Sequence, residues 1–176
     1  MYFPEKDSFF LVSCLKKYLK EKKDKRIKIL DMGSGTGIQA QTCKTLGFKD
    51  ILCADIDKES VKYLKEKNFN AVYSNLFSNN KIKKFDLIIF NPPYLPEDKY
   101  DKEKDTTGGK KGYETILRFL KQAKSHLTKQ GKILLLFSSL SHPEIIKKFA
   151  EKEEYKINLL DKTRIFFEEL YVYELF

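Results

Sequence analysis

The fold is decided by one apolar stretch and the turn that ends it, Phe85-Asp86-Leu87-Ile88-Ile89-Phe90-Asn91-Pro92-Pro93-Tyr94. The apolar residues before Asn91 have the composition of a buried strand. Proline lacks a backbone N–H and favours extended geometry in the residue before it, so the two prolines place Asn91 at a strand end. Open α/β sheets bind ligands outside the carboxyl ends of their strands. We therefore expect a functional site at this turn.

A second motif precedes this stretch and consists of a strand, a glycine loop and a helix. The strand is predicted over residues 27–30, and the helix is predicted over residues 38–46 with Gly47 as its C-cap. The loop reads Asp31-Met32-Gly33-Ser34-Gly35-Thr36-Gly37. Its glycines alternate, unlike the Gly-x-Gly-x-x-Gly of dinucleotide sites, and they let the backbone approach a ligand closely.

Two carboxylates flank this loop. Asp31 at the strand end would repel a pyrophosphate, but it suits a ligand that carries an ammonium group and a sulfonium. Asp55 ends the next strand, predicted over residues 50–55, where it is placed to accept hydrogen bonds from both hydroxyls of a ribose. Together they indicate a nucleoside with an amino-acid tail rather than a phosphate donor.

The rest of the chain alternates helices and strands, which predicts one α/β domain, residues 1–176, with a parallel doubly wound sheet. Asp7 or Ser8 is the predicted N-cap of the first helix. The loop over residues 95–111 predicts no regular structure and is typical of a lid or a substrate-facing segment. The other predicted helices cover residues 8–20, 58–67, 113–127 and 143–153, and the other strands cover residues 71–73, 85–90, 132–137, 155–160 and 169–176.

The amino-acid composition limits the classes of partner and ligand that we expect. The net charge is +9, but only three of the 34 basic residues are arginine, and the lysines alternate with acids. Because base and phosphate recognition favours the guanidinium fork, this indicates solvated helix faces and weak steering of a polyanion. Three cysteines and two histidines predict no disulfide framework and no metal site. No signal peptide and no apolar run of ~20 residues are present, so we expect a cytoplasmic protein without membrane contact.

These motifs together resemble the class I S-adenosylmethionine-dependent methyltransferases that modify a planar nitrogen, and within them the HemK-like release-factor glutamine methyltransferases. The resemblance is to the short archaeal and eukaryotic branch, which lacks the bacterial N-terminal helical domain. It implies a Rossmann-like fold, with a doubly wound, mostly parallel seven-stranded sheet, helices on both faces and an antiparallel last strand. Four further stretches carry it: Pro4-Glu5-Lys6-Asp7-Ser8, Gly108-Gly109-Lys110-Lys111-Gly112, Ser138-Ser139-Leu140-Ser141-His142-Pro143-Glu144 and Phe166-Phe167-Glu168-Glu169-Leu170.

The resemblance implies S-adenosyl-L-methionine as cofactor and S-adenosyl-L-homocysteine as product. Asp31 would bind the methionine ammonium, Asp55 the ribose, and the amide oxygen of Asn75 the exocyclic amine of adenine. Family members usually have aspartate where this chain has Asn75. They have an acidic residue where this chain has Lys6, and the neighbouring Glu5 could take over the role of that acid. The implied cofactor-binding residues are Ser8, Asp31, Gly33, Ser34, Gly35, Thr36, Gly37, Asp55, Ile56, Asn75, Leu76 and Asn91.

The resemblance also assigns the catalytic turn, Asn91, Pro92, Pro93 and Tyr94. The Asn91 side-chain oxygen and the Pro92 carbonyl would accept the two N–H bonds of the acceptor amide, and Tyr94 would pack on its flat face. This is electrostatic preorganisation without a general base or a metal. The implied acceptor is the glutamine N5 of the Gly-Gly-Gln motif in a class I peptide-release factor. A small zinc-ribbon activator would bind the edge strand near Ala71 and Tyr73.

Two alternatives stay open. The same tetrapeptide serves N6-adenine and N2-guanine methyltransferases that act on RNA or DNA, and the positive charge favours this class modestly. Against it stand the scarcity of arginine and the lack of any target-recognition domain. The second alternative is a non-catalytic nucleotide-binding or scaffold subunit, which the presence of Asp31, Asp55 and Asn91 argues against.

Overall fold

The computed structural model describes residues 3–97 and 107–176. Strands and helices alternate along most of this chain. The strands are β1 Ile29–Met32, β2 Ile51–Asp55, β3 Asn70–Tyr73, β4 Phe85–Phe90, β5 Leu95–Pro96, β6 Thr107–Gly109, β7 Leu127–Ser138, β8 Ile157–Ile165 and β9 Glu168–Leu175. The helices are α1 Lys6–Lys20, α2 Ile38–Thr45, α3 Lys58–Glu66, α4 Glu114–Ala123 and α5 Pro143–Lys152.

Seven strands form one sheet in the order β3-β2-β1-β4-β7-β9-β8. The strands from β3 to β7 pair in parallel, and β9 is antiparallel to both of its neighbours, β7 and β8. The predicted fold class is confirmed, including the antiparallel last strand.

The helices cover both faces of the sheet. One face packs its apolar side chains against α1, α2 and α3, through residues such as Leu15, Cys43 and Leu64. The other face packs against α4 and α5, with Phe119 and Ile146 fully or almost fully buried. Because both faces are covered, the central strands are apolar on both sides, which explains the continuous apolar run of β4.

The parallel register places the predicted functional residues at one edge of the sheet. Met32 at the end of β1 lies opposite Ala54 of β2 and Phe90 of β4. The next residues, Gly33, Asp55 and Asn91, therefore leave the carboxyl ends of three adjacent strands together. We call this side the carboxyl edge.

Several predicted boundaries were wrong. The first helix begins at Lys6, with Glu5 as its N-cap, so neither Asp7 nor Ser8 caps it. The helix predicted over residues 113–127 ends at Ala123, and after a short 3-10 turn Leu127 begins β7, where it pairs with Phe85. Strand pairing at Leu127 thus overrides a helical periodicity that continues past Ala123.

The segment over residues 95–111 contains regular structure where none was predicted. Leu95 and Pro96 form β5, which pairs in parallel with β6, Thr107–Gly109. One short strand from each end of the segment therefore pairs with the other, next to Tyr94. Its middle, residues 98–106, lies outside the described residues.

Among the described helices, none is both long enough and apolar enough to cross a bilayer.

Candidate functional site

A cleft of about 250 Å³ opens at the carboxyl edge. Among the described residues, its lining contains four carboxylates and neither lysine nor arginine, although the whole chain is basic. A cleft of this charge favours a cationic ligand over a polyphosphate. The lining residues are Glu5, Asp7, Gly33, Gly35, Asp55, Ile56, Ser60, Asn91, Pro92, Pro93, Tyr94, Leu95 and Glu168.

The Asn91 carboxamide is held at one end only. Its Nδ2 donates to Asp7 Oδ2 at 3.0 Å and to Ser8 Oγ at 3.4 Å. A carboxylate only accepts hydrogen bonds, so Asp7 fixes which end of the amide is nitrogen. The Asn91 Oδ1 is buried and has no hydrogen-bond partner among the described residues. Since buried polar atoms are rarely left unpaired, this oxygen is a strong candidate to accept a bond from a ligand.

Asp7 is the residue of the candidate site that the sequence interpretation missed. It was assigned as a helix cap, but its Oδ1 accepts from the Ser8 backbone N–H at 2.5 Å while its Oδ2 binds Asn91. The Tyr94 hydroxyl also reaches Asp7 Oδ2, at 3.4 Å. Asp7 stands in the Pro4 to Ser8 motif, so the signal was present in the sequence. A contact between residues so far apart in the chain cannot be derived from local pattern.

Residues from two other segments pack closely against the backbone of the Asn91–Tyr94 tetrapeptide. Ser141 Oγ donates to the Tyr94 carbonyl at 2.9 Å. A Cβ on Gly108 would lie 2.6 Å from the Pro93 carbonyl oxygen, and one on Gly112 would lie 2.4 Å from the Tyr94 carbonyl oxygen. Gly108 and Gly112 therefore permit the close approach of this segment to the Asn91–Tyr94 turn.

The glycine loop and Asp55 form the opposite wall. The Asp55 carboxylate accepts from the Gly35 N–H at 2.7 Å and from the Asp57 N–H at 2.8 Å, which fixes its orientation. Burial raises its pKa. Next to it, Ile56 exposes 57% of its surface and lines the same cleft. A carboxylate with lone pairs still available beside an apolar side chain suits a ribose attached to a flat base.

Asp31 lies beneath this wall, outside the cleft lining. Only 1% of it is exposed, and its Oδ2 accepts from the Ala40 N–H at the start of α2, at 3.0 Å. Burial raises the pKa of Asp31 to about 8, with a further increase from the nearby Asp55 charge. A cationic ligand placed close by would favour the ionised form. Its binding of a ligand ammonium stays a prediction.

Other loop residues have clear structural roles. Ser34 Oγ donates to the Asp31 carbonyl at 2.7 Å and so fastens the loop to itself. Gly37 has φ +80°, and a Cβ there would lie 2.5 Å from a Leu64 methyl, so this glycine permits packing against α3. Thr36, which precedes Gly37 in the chain, is half-buried. Of the three glycines, only Gly33 and Gly35 line the cleft.

The predicted adenine contacts lie outside the cleft lining. Asn75 is exposed, and its Oδ1 accepts from Arg118 Nη2 at 2.9 Å. Leu76 is buried, with φ +51°. Adenine recognition by Asn75 stays a prediction, and it requires the oxygen to be shared with, or released from, Arg118.

Comparison with known protein families matches residues 5–158 to the family described as Methyltransferase small domain. A Methanocaldococcus jannaschii protein, provisionally named a protein N5-glutamine methyltransferase, is 35% identical over 98% of this chain and 89% of its own length. The release factor glutamine methyltransferase of Aquifex aeolicus is 29% identical over 77% of this chain. This chain spans only 54% of that relative's length.

Among solved structures, the E. cuniculi Mtq2-Trm112 complex, described as responsible for methylation of the eRF1 translation termination factor, contains a chain with the same fold. The match has a TM-score of 0.81 and 22% identity, and it covers 99% of this chain and 96% of that chain.

Proposed function

This chain belongs to the methyltransferase small domain family, and we propose that it transfers a methyl group from S-adenosylmethionine to the side-chain amide nitrogen of a glutamine in a protein. The resemblance to HemK-like glutamine methyltransferases is confirmed by its relatives, among them the Methanocaldococcus jannaschii and Aquifex aeolicus proteins, which carry glutamine methyltransferase in their names. The observation that carries the acceptor assignment is the buried, unpaired Oδ1 of Asn91 beside the cleft.

The residues present fit S-adenosylmethionine. The cleft wall offers backbone without side chains at Gly33 and Gly35, a pre-oriented carboxylate at Asp55, and the apolar Ile56 beside it. The acidic lining complements the two positive charges of the ligand. When bound, this cofactor supplies an electrophilic methyl group on a sulfonium. Gly33 and Gly35 would lie against its methionine portion, and Asp55 would bind its ribose.

The chain's own residues then act on the acceptor. An amide nitrogen is a poor nucleophile because its lone pair is delocalised into the carbonyl group. A hydrogen bond from the acceptor N–H to Asn91 Oδ1 orients that nitrogen and favours the positive charge that develops on it during methyl transfer. The Pro92 carbonyl is the proposed second acceptor, and Tyr94 is the proposed stacking surface. Asp7 keeps the Asn91 oxygen directed away from itself, because it binds the amide nitrogen.

We assign the acceptor as the glutamine of the Gly-Gly-Gln motif in a class I peptide-release factor. The name of the Aquifex relative supports this. The charge of the cleft also supports a protein over RNA or DNA. In the part of the chain that the structure describes, no lysine or arginine lines the cleft. A phosphate backbone passing close to Asn91 would be repelled by the carboxylates of Glu5, Asp7, Asp55 and Glu168.

The edge strand β3 is the proposed site of a small zinc-ribbon activator. β3 pairs only with β2 in the seven-stranded sheet, and Tyr73 on it is 48% exposed. Phe69, Ala71 and Tyr73 line a shallow groove along this edge. An edge strand presents backbone groups to which a partner strand can pair. The structural relative was solved as a complex with a second protein, Trm112. Methylation measured with and without a candidate activator tests this assignment.

The proposed function is tested with matched forms of a release factor. The purified enzyme, with its activator if one is required, is given S-adenosylmethionine and a release factor whose Gly-Gly-Gln glutamine is kept or replaced by glutamate or lysine. Mass spectrometry should find one added methyl group on the glutamine form and none at that position on the other two. Methylation of the lysine form alone, or of none of the three, contradicts an amide-specific site.

A further inference from the structure

Two phenylalanines form the whole turn between β8 and β9. Ile165 pairs with Glu168, so Phe166 and Phe167 connect the strands by themselves. They are 73% and 97% exposed. Phe166 also has φ +50°, a position that two-residue hairpin turns normally give to glycine, asparagine or aspartate. The turn therefore combines backbone strain with exposed aromatic surface, and neither feature stabilises the isolated chain.

The turn lies at the carboxyl edge, beside the cleft. β8 runs parallel to β7, since each is antiparallel to β9. Leu170 pairs with Ser138, the last residue of β7, so Glu168 and Glu169 extend beyond the end of β7 while still pairing with β8. Glu168 lines the cleft, and its carboxylate accepts a hydrogen bond from Ser138 Oγ. The two phenylalanines are thus adjacent in sequence to a residue of the cleft wall.

Lys6 joins the turn to the other side of the cleft. Its Nζ lies 3.8 Å from the centroid of the Phe166 ring, a cation–π contact. Lys6 stands between Glu5 and Asp7, which both line the cleft. The first turn of α1 and the β8–β9 turn therefore form one continuous rim beside Asn91.

We propose that the Phe166-Phe167 turn binds the polypeptide that flanks the methylated glutamine in the acceptor protein. This rests on the proposed function. To place a glutamine side chain against Asn91, the acceptor backbone must pass over the rim of the cleft, so this rim is covered whenever a protein acceptor is bound. Exposed aromatic side chains at such a position are typical of the few residues that dominate binding energy. Glu5 and Glu168 add negative charge beside the turn, Lys6 adds a positive charge, and Glu169 is already paired with Lys162 at 3.7 Å, so the rim carries mixed charge.

The test compares steady-state kinetics on two acceptors, the intact release factor and a short peptide that contains only the acceptor glutamine and its nearest neighbours. The variants are Phe167→Ser and the double variant Phe166→Gly with Phe167→Ser, in which glycine also suits the positive φ. Phe176→Ser is the matched control, because Phe176 is 43% exposed and follows β9 at the opposite end of the sheet from the turn.

The turn variants should raise the KM for the intact factor about tenfold, the effect of losing one aromatic anchor, and leave kcat and the cofactor Kd unchanged. The short peptide should show unchanged KM, and Phe176→Ser should match wild type throughout. A wild-type enzyme that methylates the factor while the Phe167 variant keeps the same KM overturns the docking proposal alone. A wild-type enzyme that methylates RNA but not the factor overturns the proposed function, and the docking proposal with it.

Discussion

Asp7 Oδ2 accepts a hydrogen bond from Asn91 Nδ2 at 3.0 Å, joining the first turn of α1 to the end of β4. The two residues are 84 positions apart in the chain. The carboxylate accepts from the amide nitrogen, so the amide oxygen is left for another donor. The orientation of the Asn91 side-chain oxygen, which is proposed to accept a hydrogen bond from the substrate amide, is thus set by a residue outside the tetrapeptide.

We expect Asp7→Ala to lower kcat by about 5- to 150-fold, since loss of a hydrogen bond worth about 1–3 kcal/mol lets the Asn91 amide rotate. Asp7→Asn should lose less, because its amide oxygen still accepts from Asn91. The cofactor Kd should change little in both variants. Stopped-time methylation assays with calorimetric titration of the cofactor measure these values, and wild-type kcat in Asp7→Ala would show that Asn91 needs no orienting partner.

Asn91→Ala should reduce kcat by about 10²–10³-fold, as expected when one preorganised group that stabilises the transition state is removed. Cofactor binding should be largely retained, because the proposed role of this side chain is toward the acceptor. Calorimetric titration of the variant with S-adenosylmethionine checks whether cofactor binding is retained. Loss of binding there would mean that Asn91 serves the cofactor site instead.

Gly108→Ala should lower kcat by shifting the catalytic turn. Its new methyl group would lie 2.4 Å from the Gly112 carbonyl oxygen and 2.6 Å from that of Pro93, and backbone atoms cannot move away cheaply. Gly47→Ala is the matched control. Gly47 has φ +90° and nothing within 4 Å of the added carbon, so that variant should lose about 1 kcal/mol of stability and keep wild-type kcat. Equal kcat in both variants would contradict the buttressing role of Gly108.

Asp31→Asn should stabilise the cofactor-free protein at pH 8 and above. The pKa of Asp31 is raised by burial from its ordinary value of 3.8 to about 8. Between these values the native state holds a proton that the unfolded state has lost, so this group lowers the free energy of unfolding as pH rises from about 4 to about 8. Urea unfolding at pH 5 and pH 8.5 should show a clearly larger advantage of the variant at the higher pH.

The same variant tests the predicted role of Asp31 toward the cofactor. If its carboxylate binds the methionine ammonium, Asp31→Asn weakens cofactor binding about tenfold or more, the scale of a lost charge-assisted bond. In wild type, binding near pH 7 should then release protons, which calorimetry in buffers of different ionisation enthalpy detects. An unchanged Kd without proton release would restrict Asp31 to fastening the loop onto α2 through Ala40.

The parts of the fold that sequence predicts well are those set by local composition. Residues 85–90 were predicted as a strand and form β4 with the same bounds, because an apolar run ends at two prolines. The glycine loop and Asp55 were likewise found at strand ends. Boundaries set by pairing with distant strands were missed, as at Leu127, which joins β7 through Phe85.

The candidate site shows the same division. Asn91 was identified from its proline neighbours, but Asp7 was not, because its partner is a distant strand end. The reason for Gly108 and Gly112 was also hidden, since it depends on contacts with Pro93 and Tyr94 across residues 95–111.

The central claim is that the cleft methylates a glutamine amide in a protein and not a base in a nucleic acid. The most direct measurement is competition in one reaction, with a class I release factor, transfer RNA and ribosomal RNA present together and methyl-labelled S-adenosylmethionine as donor. We predict label on the Gly-Gly-Gln glutamine, located by tandem mass spectrometry, and its loss with Asn91→Ala. Label in either RNA, with the glutamine unmodified, would contradict the account.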